Sequence, residues 1–183
     1  MGRRILMLTG SPGVGKTTIL LRIVETLKAE GYRVGGMLSR EVRERGDRVG
    51  FEISDLWDGR RGWLAHVNQK SGPLVGRYRV NMEDLDAIGA YAISRATEEC
   101  DVIAIDEIGP MELFSEKFRV AVQRAMVSAI LVVGVVHWKA RDTLIEKLNS
   151  RKDIETYVVT NRNRGNLHIA VVREAVDFLT KHG

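Results

Sequence analysis

Short apolar runs alternate along this chain with stretches whose apolar residues recur every three or four positions. The first run, residues 4–9, has strand length. From Thr17 onward Leu20, Ile23, Val24 and Leu27 share one helical face. Gly31 is a stop signal for that helix, and residues 33–39 read as the next strand after a crossover. The alternation returns after residue 81. Leu85, Ile88, Ala92 and Ala96 predict a helix over 82–99, and residues 101–106 form a buried strand. Ser115 is placed to cap a helix carrying Phe118, Val122, Ala125 and Met126. Residues 129–136 predict a further buried strand, and Asp142 caps a short helix with Leu144, Ile145 and Leu148. A last strand over 155–160 precedes a helix capped by Asn166, with Leu167, Val171 and Phe178 inward and Glu174 exposed. Strands alternating with helices predict an α/β fold on a parallel core sheet.

The stretch 41–81 has another texture. It alternates with period two, turns at Arg45-Gly46-Asp47, and puts Val49, Phe51 and Ile53 on one face. A second turn lies at 58–62, with short extended pieces at 64–67 and 76–80. This predicts an antiparallel insert on the parallel sheet. With no repeat or linker, the 183 residues read as one domain, 1–183, with the insert at 41–81.

Between the first strand and the first helix stands Gly10-Ser11-Pro12-Gly13-Val14-Gly15-Lys16-Thr17, which fits G-x-x-x-x-G-K-S/T. Strand, glycine-rich loop and helix is the setting this phosphate-binding motif needs. Gly10, Gly13 and Gly15 let backbone N–H groups approach phosphate oxygens. The helix aims its unpaired N–H groups and positive dipole end at the same anion. Lys16 adds a charge for the β- and γ-phosphates, and the Thr17 hydroxyl is placed to ligate Mg²⁺.

Composition narrows the picture. Hydrophobic residues make up 44% and charged residues 28%, as in a soluble globular protein. No apolar run has the length of a membrane span, and the apolar start runs straight into the phosphate loop rather than forming a signal peptide. One cysteine, Cys100, excludes an internal disulfide and suits the cytoplasm. The net charge of +4 is spread among acids, which argues against a nucleic-acid partner. The expected partner is a nucleoside triphosphate, bound by a monomer.

Residues 102–107 form an apolar strand ending in two acids, Asp106 and Glu107. In a phosphate-loop protein the first acid holds Mg²⁺ through water. The second can orient or deprotonate an attacking water.

Asp106-Glu107-Ile108-Gly109-Pro110-Met111-Glu112-Leu113-Phe114 resembles the D-E-I-G-x-M-E-L-F signature of THEP1-type nucleoside-triphosphatases. Residues 36–43 with 48–51, residues 75–81 and residues 160–164 resemble further blocks of that family, in order along nearly the whole chain. Pro110 stands where the family often has Lys, and His137-Trp138-Lys139 where a Pro is common. The resemblance implies a three-layer, RecA-like P-loop NTPase fold. Its core order would be 155–159, 5–9, 129–136, 102–106, 33–38, that is 5-1-4-3-2. It also implies slow, Mg²⁺-dependent hydrolysis of ATP, GTP, CTP, UTP and TTP.

The expected catalytic residues are Lys16, Asp106 and Glu107, with Thr17 and Asp106 on the metal. The expected nucleotide contacts are Gly10, Ser11, Pro12, Gly13, Val14, Gly15, Lys16, Thr17 and Thr18, then Asp106, Glu107 and Gly109, then Asn161 and Arg162 beside base or ribose. Lys139, Arg141 or Arg43 are candidates for neutralising transition-state charge. Glu41 is a second candidate for positioning water, and His137 a loop residue facing the γ-phosphate side. A nucleotide or small-molecule kinase would use the same loop and metal, but residues 137–142 supply only Lys139 and Arg141 for its lid. A nucleotide-gated RNA-binding module is the third reading; the scattered basic residues argue against it.

Overall fold

A computed structural model describes residues 3–182. Nine strands form one mixed sheet in the order β5-β6-β4-β3-β2-β7-β8-β1-β9. They are β1 (Ile5–Thr9), β2 (Val34–Glu44), β3 (Asp47–Asp55), β4 (Arg61–His66), β5 (Leu74–Val75), β6 (Tyr78–Val80), β7 (Val102–Ile108), β8 (Leu131–Val136) and β9 (Ile154–Val158). The segment β9-β1-β8-β7-β2 is parallel throughout, which is the expected core order. The remaining strands pair antiparallel.

Helices cover both faces of the parallel strands. They are α1 (Lys16–Ala29), α2 (residues 82–99), α3 (Glu116–Val127), α4 (Thr143–Asn149) and α5 (Leu167–His182). Alternate strand residues feed two separate cores. Leu6, Leu8, Val102, Ala104, Val133 and Val135 meet α1 and α5 through Leu20, Ile23, Val171 and Phe178. Ile5, Met7, Ile103, Ile105 and Val132 meet α2, α3 and α4 through Ile93, Phe118, Val122 and Leu144. Burial on both faces is why these strands read as unbroken apolar runs. Val102, Ile103, Ala104, Ile105, Leu131, Val132 and Val133 are all fully buried.

Two caps behave as their residue types predict. The Ser115 hydroxyl accepts from the Phe118 N–H at 3.0 Å, and Asp142 Oδ1 accepts from the Leu144 N–H at 2.8 Å. The expected side-chain cap at Asn166 does not form among the described residues; Asn163, in the turn before α5, bonds backward toward β9 instead. Its side chain accepts from the Thr160 N–H at 2.8 Å and donates to the Val158 carbonyl at 2.9 Å. Glu174, expected exposed, is half-buried because it accepts the Tyr157 hydroxyl proton at 2.6 Å. The expected second strand also proves longer. β2 runs from the core straight into the insert hairpin, whose turn uses positive φ at Arg45 (51°) and Gly46 (92°).

Candidate active site

The phosphate loop leaves β1 at its carboxyl end and delivers the chain to the first turn of α1. Gly10 has φ 150°, and a Cβ there would stand 2.7 Å from the Val159 carbonyl oxygen. Only glycine permits β1 and the segment after β9 to approach this closely. Gly15 caps α1 at φ 109°, and no side chain satisfies the first N–H groups of that helix. A helix start left uncapped in this way is a ready-made site for an anion. Lys16 folds back, its ammonium donating to the Gly10 carbonyl at 3.0 Å and the Ser11 carbonyl at 3.1 Å.

β7 brings the acids to the same place. Its register against β8 shifts between Ile105 and Ile108, so Asp106 and Glu107 sit where regular pairing breaks. Asp106 is 2% exposed, and its Oδ2 is buried with no hydrogen-bond partner among the described residues. Burial pushes its carboxyl up to about 7; nearby Thr17 and Lys16 pull it down, and the Glu107 charge pushes it up. Burial also raises Glu107, against the opposing pull of His137 and Lys16. Glu112, on the short turn Glu112–Phe114, is 3% exposed. Burial first, and then the charge of Glu107, hold its carboxyl well above the usual range.

A cleft of about 510 Å³ joins these groups. Pro12, Gly13, Gly15, Lys16 and Thr17 line one end, with Asp106, Glu107, Glu112 and His137 beside them. From there the lining continues along Ser39, Arg40, Glu41, Arg48, Phe51, Leu64 and Val75 of β2 and the insert, with Pro110 and Met111. Positive backbone donors and Lys16 thus face buried carboxylates across one space, an arrangement that can bind a phosphate chain and activate a nucleophile beside it.

A protein-family model described as NTPase matches residues 5–172. The chain is 42% identical over 182 residues to the nucleoside-triphosphatase THEP1 of Thermofilum pendens, 99% of this chain and 100% of that one. This chain belongs to the THEP1 nucleoside-triphosphatase family. The THEP1 of Methanosarcina acetivorans is 43% identical, with 97% and 98% of the two chains covered. The crystal structure of THEP1 from the hyperthermophile Aquifex aeolicus superposes with TM-score 0.82 at 32% identity, covering 91% of this chain and 96% of that one. A human cancer-related nucleoside triphosphatase, solved in solution, gives TM-score 0.79 at 34% identity over 93% and 96% of the chains.

Within this THEP1 fold, not every expected site residue reaches the cleft. Pro12, Gly13, Gly15, Lys16, Thr17, Asp106 and Glu107 line it. Gly109 lies beside them, with a Cβ there 2.9 Å from Glu107 Oε1. Gly10, Ser11 and Val14 belong to the loop without lining the cleft, Val14 being buried in the core. Thr18 is the third residue of α1 and does not line the cleft. Asn161 and Arg162 are exposed in the turn after β9 and line no part of the cleft. Arg164 comes nearer the loop; its Cδ is 4.0 Å from a Cβ built on Gly15. None of the charged candidates Arg43, Lys139 and Arg141 lines the cleft. Arg43 donates to Glu41 and to the Gly46 carbonyl at 2.9 Å, inside the hairpin. Lys139 lies 4.4 Å over the Trp138 ring, and Arg141 is exposed. His137 does line the cleft. Glu112 and Arg48 are the additions that sequence reading missed. Glu112 stands in the quoted signature, but its burial comes only from the turn that folds it back under Glu107.

No helix among the described residues is long and apolar enough to cross a membrane.

Proposed function

We propose that this THEP1 family member hydrolyses nucleoside 5′-triphosphates (ATP, GTP, CTP, UTP and TTP) to the diphosphate and phosphate, slowly and with Mg²⁺, as a cytoplasmic monomer. The observation that carries the reading is Glu107, next to Asp106, opening on the cleft that Lys16 and Thr17 line.

The chain's own groups divide the work. Loop N–H groups and the start of α1 hold the β- and γ-phosphates. Lys16 leaves the Gly10 and Ser11 carbonyls and turns its charge to the same oxygens. Glu107 orients a water toward the γ-phosphorus and takes its proton as the new bond forms. The proton then leaves through the open cleft. Thr17 and Asp106 fit a magnesium ion, because the buried Asp106 Oδ2 has no partner of its own and hard oxygen donors are what that ion takes. When bound, Mg²⁺ supplies charge neutralisation on the phosphate oxygens. Broad base use follows from the exposure of Asn161, Arg162 and Arg164, since an arginine face can stack on any base without reading it.

The test is phosphate release from the five triphosphates with no other acceptor, in Mg²⁺ and in excess chelator. Release from all five that stops with chelator is the expected result. Release from one base alone would overturn the broad specificity, and undiminished release in chelator would overturn the metal.

A further inference from the structure

The cleft beside the acids is larger than an attacking water needs. A water molecule takes about 30 Å³ of liquid volume, against about 510 Å³ here. The nucleotide accounts for one end only. Phosphates on the loop lead back over Gly15 toward Arg164, and no residue of 158–167 lines the cleft. The opposite end lies beyond Glu107, within the insert.

Strand register builds that end. Met37 pairs with Ile105 as the last β2–β7 pair, and beyond it Ser39 and Glu107 both line the cleft. Phe51 pairs with Glu41 on β2 and with Ala65 on β4. The insert therefore stands as a wall off the end of β7, on the side from which a nucleophile reaches the γ-phosphorus.

The wall has a definite chemistry. Phe51, Leu64, Val75 and Met111 give it an apolar surface. The Phe51 ring is braced edge-on by Tyr78 at 5.3 Å between centroids. Arg48 lies 5.7 Å over the Phe51 ring. Its Nε forms an ion pair with Glu41 at 3.2 Å, and Arg40 is engaged by Glu52 at 3.0 Å, so the basic side chains of this wall are held by its own acids. Glu41 and Glu107 on the same lining repel an anionic acceptor, whereas a neutral alcohol meets no such repulsion.

We infer that the insert end of the cleft is a second-substrate subsite for a neutral, nucleoside-sized molecule with a flat ring and a hydroxyl, which takes the γ-phosphoryl group in place of water. The inference rests on the γ-phosphate being delivered beside Glu107, as proposed above. The acceptor hydroxyl oxygen forms the new bond to the γ-phosphorus. The bond from that phosphorus to the β,γ-bridging oxygen breaks, and its electron pair leaves on the nucleoside diphosphate. The hydroxyl proton passes to Glu107 and on to solvent, and nothing is oxidised or reduced.

The experiment incubates the full chain with γ-labelled ATP and Mg²⁺ plus uridine, thymidine, adenosine or guanosine, with glycerol as the ring-free alcohol. Phosphate esters and free phosphate are both quantified. At least one nucleoside is expected to be phosphorylated, with an ester-to-phosphate ratio about tenfold above that of glycerol, the factor that about 1.4 kcal/mol of ring burial supplies. Val75→Trp, which fills the subsite, and Phe51→Ala, which strips its ring, should each cut ester formation about tenfold. Phosphate release without acceptor should stay within about threefold in both, since neither residue touches the phosphates. Saturation-transfer NMR of the same nucleosides reads binding separately, and a transfer signal that vanishes in Val75→Trp places the nucleoside at the insert. Phosphate release with no ester, or equal esters from glycerol, would overturn the transfer; a signal as strong in both variants as in wild type would overturn the subsite. If the wild type releases no phosphate, the hydrolytic reading fails, while the binding arm still decides the subsite.

Discussion

Gly109 lies directly against Glu107: a Cβ at position 109 would meet Glu107 Oε1 at 2.9 Å and Glu112 Oε2 at 3.2 Å. The missing side chain thus sets where the Glu107 carboxylate can stand. Gly109→Ala should push Glu107 off its line to the γ-phosphate and leave the phosphate loop untouched. A displacement of about 1 Å in a catalytic group can cost roughly a hundredfold in rate. Turnover of ATP should fall by about that factor while its affinity, read by calorimetry, stays close to wild type. Unchanged turnover would mean that Glu107 gives way freely and that its position is not critical.

Lys16→Ala tests the loop itself. The ammonium holds two loop carbonyls in the free protein and turns to the phosphates when they arrive. Charge-assisted hydrogen bonds contribute about 1.5–3 kcal/mol, so ATP affinity should fall about 10- to 100-fold or more. Calorimetry on a variant with wild-type circular dichroism checks this, and equal affinity would remove Lys16 from phosphate binding.

Asp106→Asn separates metal from nucleotide. Asp106 is expected to hold Mg²⁺ through water, and outer-sphere partners of this kind are worth about 10–100-fold in metal affinity. The Mg²⁺ concentration for half-maximal turnover should rise by about that factor. A titration that superposes on wild type would make Asp106 only a buried strand-end acid.

Most of the parallel core is legible in the sequence, because strands buried on both faces cannot alternate and so announce themselves as apolar runs such as residues 131–136 and 102–105. Their lateral order is not carried by that pattern; it came from the signature beginning at Asp106, and the sheet follows it. The phosphate loop is legible for a different reason, since Gly10 is fixed by its close approach to Val159 and Gly13 and Gly15 by positive φ. What local reading missed is set by distant contacts. Glu174 looks like a surface residue until Tyr157 lies opposite it. Asn166 looks like a helix cap until the turn after β9 is closed by Asn163 instead. Asn161 and Arg162 carry the right chemistry for a base contact, yet the same turn exposes them and brings Arg164 toward Gly15 instead.

Glu112 makes stability depend on pH. Its folded carboxyl titrates well above its ordinary value, through burial and the charge of Glu107. As pH rises past the ordinary carboxylate range, the unfolded chain loses this proton first. The folded state still holds it, so unfolding becomes more favourable with rising pH until the folded group also ionises. Glu112→Gln keeps the size and has no proton to lose. Its melting temperature should gain on wild type steadily between about pH 5 and pH 8. A difference constant across that range would show that Glu112 does not titrate with folding.

Glu107→Gln separates binding from chemistry. If Glu107 orients and deprotonates the attacking water, its work is done in the transition state. Glutamine keeps the size and one acceptor oxygen but loses charge and basicity. The rate should fall on the order of 10²–10⁴-fold, roughly 3–5 kcal/mol of barrier. Affinity for ATP with Mg²⁺ should hold or tighten, because Lys16, Thr17 and Asp106 remain and a carboxylate near the γ-phosphate repels it in the ground state. If Glu107 were instead a metal anchor, affinity and Mg²⁺ dependence would suffer together with rate. Single-turnover hydrolysis beside equilibrium binding on the same variant decides between these. A rate within threefold of wild type would take Glu107 out of the mechanism. Glu41, the remaining acid on the cleft wall beside Ser39, would then be the group to test, although Arg43 and Arg48 already hold it.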